Sequence, residues 1–145
     1  MAPRSHSTPT PKTWPIEQLP GLSIEHQTGL KQHGIETTQQ LLLNSQTRDQ
    51  REAIAINLRT SPTRVTKWIA LAELSRIPSV GCTYCGVLLH AGIASPTQLI
   101  QTSLPRLHRQ ILKLHVSTMH SKDYCPSLND VACWQHQARQ LVPRA

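Results

Sequence analysis

The segment from Ile16 to Leu42, IEQLPGLSIEHQTGLKQHGIETTQQLL, returns 58 residues later, without a gap, as Leu74 to Ile100, LSRIPSVGCTYCGVLLHAGIASPTQLI. Pro20 pairs with Pro78, Leu30 with Leu88, Gly34 with Gly92, Ile35 with Ile93 and Leu41 with Leu99. Ser61, Val65, Trp68 and Ala72 recur 66 residues on as Ser127, Val131, Trp134 and Ala138, the extra length falling in HSKDYCP around Lys122. An internal repeat fixes architecture before any other signal, because each copy must form the same unit. Here the unit is a tight proline-glycine turn, an apolar helix, a Gly-Ile break and a second capped helix. The boundaries read as a flexible arm over 1–15 and repeat units over 16–73 and 74–141. The arm, MAPRSHSTPTPKTWP, is rich in Pro, Ser and Thr and has little apolar surface to offset the entropy of ordering, although Trp14 can dock at its end.

The caps make the chain all-α. Thr37-x-x-Gln40, Thr47-x-x-Gln50, Ser95-x-x-Gln98 and Ser127-x-x-Asp130 are capping-box patterns. Ser61-Pro62 and Ser95-Pro96 place proline at the first helical position, where its missing N–H is harmless. Gly34 and Gly92 stand where a helix ends on a left-handed residue. Val65, Trp68, Ile69 and Ala72 share one helical face, as do Leu104, Leu107, Ile111 and Leu114. Eight to ten short helices are expected, in one compact domain. Each unit alone would leave an apolar face uncovered.

Charge is unevenly placed. Residues 1–52 carry five basic and five acidic side chains, and residues 123–145 carry two of each. Between Ala53 and Lys122 there are eight basic residues and a single acid, Glu73. The whole excess of +7 therefore lies in the middle of the chain, which suits a polyanionic partner. There is no run long enough to cross a membrane and no apolar signal-peptide core, so a cytoplasmic protein is expected.

The turns LPGLS at Leu19 to Ser23 and IPSVG at Ile77 to Gly81 resemble the helix–hairpin–helix motif. With the continuation REAIAINLRTSPTRVTKWIALAELSRIPSVG, residues 16–141 resemble an uncharacterised bacterial family of tandem helix–hairpin–helix domains, a domain of unknown function. The resemblance implies two pseudo-symmetric units in a SAM-like helical domain, and sequence-independent binding of a sugar-phosphate backbone. Such a turn aims N–H groups at a phosphate with a helix dipole behind them. This chain departs from the pattern. Each turn keeps one of two glycines, and Ile24-Glu25 and Cys82-Thr83 stand where a basic residue is usual. Glu25 would repel phosphate, and Gln27 fills a position suited to alanine. The first hairpin therefore reads as structural and the second as the better contact. The nucleic-acid-binding residues this implies are Arg76, Ser79, Val80 and Gly81, with Arg64, Lys67, Arg106, Arg109 and Lys113 from the basic region.

Rival chemistries are weaker. Cys82-x-x-Cys85 has zinc-knuckle or redox spacing, and Cys125 and Cys133 could complete four ligands. The first copy has Ile24 and Gln27 at those places, so no zinc and no other cofactor is expected. Cys85 and Cys133 read as small core residues. The position of Cys82 at a helix N-terminus allows a lowered thiol pKa. No catalytic His, Ser or Asp constellation is present, so the chain is read as no enzyme. Trp68 and Trp134 read as core. The partner is expected to be nucleic acid, duplex DNA bound without sequence preference, with a helical protein–protein interaction module as the rival.

Overall fold

Most helix starts among the described residues are set by side-chain oxygens that take up backbone N–H groups left open at the first turn. The computed structural model describes residues 11–118 and 126–142. Among them are a single 3-10 turn, Ile16–Gln18, and eight α-helices: α1 Ile24–Gln32, α2 Thr38–Leu43, α3 Arg48–Asn57, α4 Pro62–Ser75, α5 Gly81–His90, α6 Pro96–Gln101, α7 Leu104–Thr118 and α8 Leu128–Leu141. No strand is present among the described residues, only an isolated bridge between Pro15 and Thr37.

Thr37, Thr47 and Ser127 each form a full capping box with Gln40, Gln50 and Asp130. Ser95 accepts from the Gln98 N–H, but the Gln98 carboxamide turns elsewhere: its oxygen takes the Ala94 N–H and its nitrogen donates to the Gly92 carbonyl. Ser61 caps α4, and proline opens both α4 and α6. Helices α1 and α5 stop in the same way. Gly34 and Gly92 adopt φ of +82° and +94°, and the next amides, Ile35 and Ile93, donate back to the Leu30 and Leu88 carbonyls. Arg59 takes the same left-handed role after α3, at φ +56°, with Thr60 N–H on the Ala55 carbonyl.

Buried residues stand at the offsets seen in the sequence. Ile16 and Leu74, Leu30 and Leu88, Leu41 and Leu99, Val65 and Val131, and Ala72 and Ala138 are all fully buried. Trp68 and Trp134 are buried too, and each meets a ring from an earlier helix: His26 of α1 lies 5.0 Å from Trp68, and Tyr84 of α5 lies 5.1 Å from Trp134. Each indole contributes about 4–6 kcal/mol of transfer free energy at ~25 cal/mol per Å² over ~150–250 Å². One continuous cluster joins these side chains. Helix α4 packs on α2, α3 and α5, and α8 packs on α6 and α7, while α5 also meets α7. The buried faces of α4 and α5 thus make the centre of the fold.

Residues 1–10 of the N-terminal arm lie outside the described residues. Its last residues are fastened to the body. The amides of Thr38 and Gln39, at the start of α2, donate to the Trp14 carbonyl and the Thr13 hydroxyl. Trp14 N–H donates to Thr38 Oγ1, and Lys12 N–H to the Arg76 carbonyl. The Trp14 indole N–H reaches the Ser75 carbonyl at 2.8 Å, so one short segment ties α2 to the far end of α4.

Candidate nucleic-acid interface

The two turns follow different paths because each has a single glycine in a different place. In the first, Gly21 is left-handed at φ +85°, and Ser23 becomes the N-cap of α1 by accepting from His26 N–H. Serine at the second glycine position is thus a capping residue. Gln27 settles its carboxamide on the Leu22 carbonyl at 3.3 Å. In the second turn the left-handed residue is Gly81, at φ +52°.

The second turn is well occupied. Ser79 is exposed, but its N–H donates to Gln137 Oε1 at 2.9 Å, and Gln137 Nε2 donates to its hydroxyl. Val80 is buried, and its N–H and that of Gly81 both donate to the Ile77 carbonyl. Gly81 is covered by Trp14: a Cβ built there would lie 3.0 Å from indole Cζ2. Arg76 pairs with Glu73 at 3.1 Å and is only partly exposed. No side chain caps α5, and among the described residues no acceptor sits on the Cys82 and Thr83 N–H groups.

The remaining cations fall into two sets. Arg64 and Lys67 are exposed one turn apart on α4. Arg106, Arg109 and Lys113 are exposed along one face of α7, spanning about 10 Å at ~1.5 Å per residue. Their opposite face carries the buried Leu107 and Ile111. None of these five cations has an ion pair among the described residues. Lys122 lies outside the described residues.

Four grooves help to sort these positions. One of about 520 Å³ runs between Lys12, Gln39, Leu43 and the Glu73–Arg76 pair, and a smaller one on the other side of that pair reaches Ser95 and Leu141. Both contain a carboxylate. Two more adjoin the α7 face. One, again about 520 Å³, lies between the Gly92 turn, the end of α6 and Arg106, and the next, about 300 Å³, lies between His90, Gln110 and Lys113. Neither has an acidic residue in its lining. The sequence reading did not single out Gln101, Ser103 or Gln110. The signal available was the absence of any acid from Leu74 to Lys122.

The cysteines correct one expectation. Burial pushes the Cys82 thiol up to about 11, so the helix terminus does not lower it, and burial with the nearby Cys82 pushes Cys85 up to about 12. Desolvation outweighs the dipole because this thiol is partly buried. Cys85 is core, as its apolar helical face implies, but Cys133 is exposed and faces Ser79 at 3.8 Å. Among the described residues no group of three or more His, Cys, Asp or Glu could hold a metal, and Cys125 lies outside them. No described helix is long and apolar enough to cross a membrane.

No curated protein and no solved structure matches the chain. A family model does match, over residues 20–141, which takes in every helix from α1 to α8. The chain belongs to the family described as Domain of unknown function (DUF4332).

Proposed function

We propose that this protein is a non-enzymatic, sequence-independent DNA-binding domain of two pseudo-symmetric helix–hairpin–helix units, acting in the cytoplasm. The matched helix ends, caps and Trp–ring contacts at offsets of 58 and 66 residues support the two-unit reading. The observation that carries the function is the α7 face. Three exposed cations, Arg106, Arg109 and Lys113, line up on one helix without a carboxylate partner. Such a row attracts phosphates by charge and carries no base readout. The weight of the binding surface thus moves from the second turn, where Val80 and Gly81 are covered, to α7.

Charge reversal tests this reading. Arg106→Glu with Arg109→Glu leaves Lys113 alone on the face. Binding of several unrelated duplexes should weaken together, by at least tenfold near 50 mM salt, where phosphate contacts still hold strongly. Unchanged affinity, or loss for one sequence only, would remove the proposal's basis.

A second reading, a helical protein-interaction module, is favoured by a different observation. Leu43 is 54% exposed and borders the groove beside the N-terminal segment. On that reading the arginine reversals leave DNA binding negligible throughout and release a protein partner instead.

A further inference from the structure

The acid-free grooves beside α7 are built from more than the cations that drew attention to this helix. Arg106 is flanked by the Gln101 carboxamide and the Ser103 hydroxyl in one groove, and Gln110 and Lys113 close the next. The side chains of these five residues make no hydrogen bond or ion pair with the rest of the described residues. They are donors held at the surface without an internal partner. By contrast, the Gln98 carboxamide in the same lining is spent on the Ala94 amide and the Gly92 carbonyl, which fixes the turn that forms the opposite wall. One wall is thus held by internal hydrogen bonds and the rim is rich in free donors. Every cation-bearing groove elsewhere among those described includes Glu73.

We propose that this double groove, between the α5–α6 turn and α7, seats the phosphates of one strand of a DNA duplex. The inference rests on the nucleic-acid reading and adds its site and a structural ground for the duplex form. Charge complementarity selects an anion, since Arg106 and Lys113 bring positive charge and amide and hydroxyl donors bring hydrogen bonds. The aromatic inventory selects a duplex. Binding of single strands relies on exposed rings on which bases stack. Here Trp68 and Trp134 are buried, Tyr84 packs on Trp134, and the Trp14 indole is bonded to the Ser75 carbonyl. Among the described residues no Trp or Tyr ring is exposed. A stacked duplex asks only for its backbone to be held, which this rim does.

The test compares two charge-matched variants of the full chain. Gln101→Glu with Gln110→Glu puts two carboxylates in the grooves. Gln32→Glu with Gln39→Glu adds the same charge to exposed positions on α1 and α2, far from them in the chain. Affinity for a 16-base-pair duplex and for one of its strands is measured by fluorescence anisotropy at 50 mM salt, with helical melts confirming that both variants are folded. The groove variant should lose about tenfold more duplex affinity than the control variant, as expected when one or two charge-assisted hydrogen bonds become repulsions. The wild type should prefer the duplex to the single strand. Equal losses in the two variants would overturn the groove as the site while leaving DNA binding in place. Equal or stronger binding of the single strand would overturn the duplex assignment. No binding by the wild type would overturn this inference together with the function on which it rests.

Discussion

Replacing Gly81 by alanine should destabilise the protein for two separable reasons, and the separation checks where Trp14 sits. The first reason is backbone. Gly81 is left-handed at φ +52°, where an L-residue pays about 1–2 kcal/mol, offset by ~0.4–1 kcal/mol from a less flexible unfolded chain. The net is about 1 kcal/mol. The second reason is contact. The new Cβ would lie 3.0 Å from Trp14 Cζ2 and 3.4 Å from Cη2. The indole cannot simply slide away, because its N–H is held on the Ser75 carbonyl at 2.8 Å. Displacing it costs about 1–2 kcal/mol, in the range of overpacked sites. Gly81→Ala should therefore cost about 2–3 kcal/mol. Gly34→Ala and Gly92→Ala supply the reference, since both positions are left-handed with no atom within 4 Å of the built Cβ. Each should cost only the backbone part. In a Trp14→Ala background the Gly81→Ala cost should drop to the same level, giving a coupling of about 1–2 kcal/mol. Urea melts followed by circular dichroism measure all of these. Additive effects, within ~0.5 kcal/mol, would refute the placement of Trp14 over Gly81.

Trp68→Ala and Trp134→Ala should each cost about 3–5 kcal/mol in the same melts, and a loss below ~1 kcal/mol for either would contradict their place in the core. Arg59→Gly should raise stability by up to about 1 kcal/mol, because Arg59 holds φ +56° without being a glycine; a loss larger than that would show that its side chain matters more than its backbone. The thiols give a pH prediction. Cys82 and Cys85 bind their protons more tightly folded than unfolded, so their contribution to stability is complete below the ordinary thiol value near 9 and is lost as pH rises toward about 11 and then about 12. Melts between pH 8 and 10.5 should show falling stability, and Cys82→Ala should flatten the fall. Exposed Cys133 should react with a thiol reagent well before Cys82 or Cys85 at pH 8.

Local chemistry was the legible part of this fold. A hydroxyl three residues before a glutamine or aspartate marks a helix start within a single turn of chain, so Thr37, Thr47, Ser95 and Ser127 could be read directly. The left-handed ends at Gly34 and Gly92 and the buried Trp68 and Trp134 were legible for the same reason, since glycine placement and 3.6-residue spacing are short-range signals. Contacts between distant residues were not. Nothing in the sequence near Gly81 says that Trp14 covers it, or that Gln137 of α8 takes the Ser79 amide. The second turn looked open because its motif was read without those partners. The exposure of Cys133 was hidden likewise, since one apolar-looking position on α8 turned out to face the surface beside Ser79. The α7 cations were legible as charge, but the grooves beside them arise only when the α5–α6 turn is folded against α7.

If a basic α-helical face holds DNA by its phosphates, binding must weaken as salt rises. A labelled duplex is titrated with the full chain at 50 and 200 mM salt. If Arg106, Arg109 and Lys113 each neutralise one phosphate, the log–log slope should be about −2.7, at ~−0.9 per phosphate, and affinity should fall about fortyfold between the two salts. The dissociation constant at physiological salt should lie on the order of 10⁻⁴–10⁻⁶ M for any duplex sequence. Absence of binding at 50 mM, or binding that does not respond to salt, would contradict the claim.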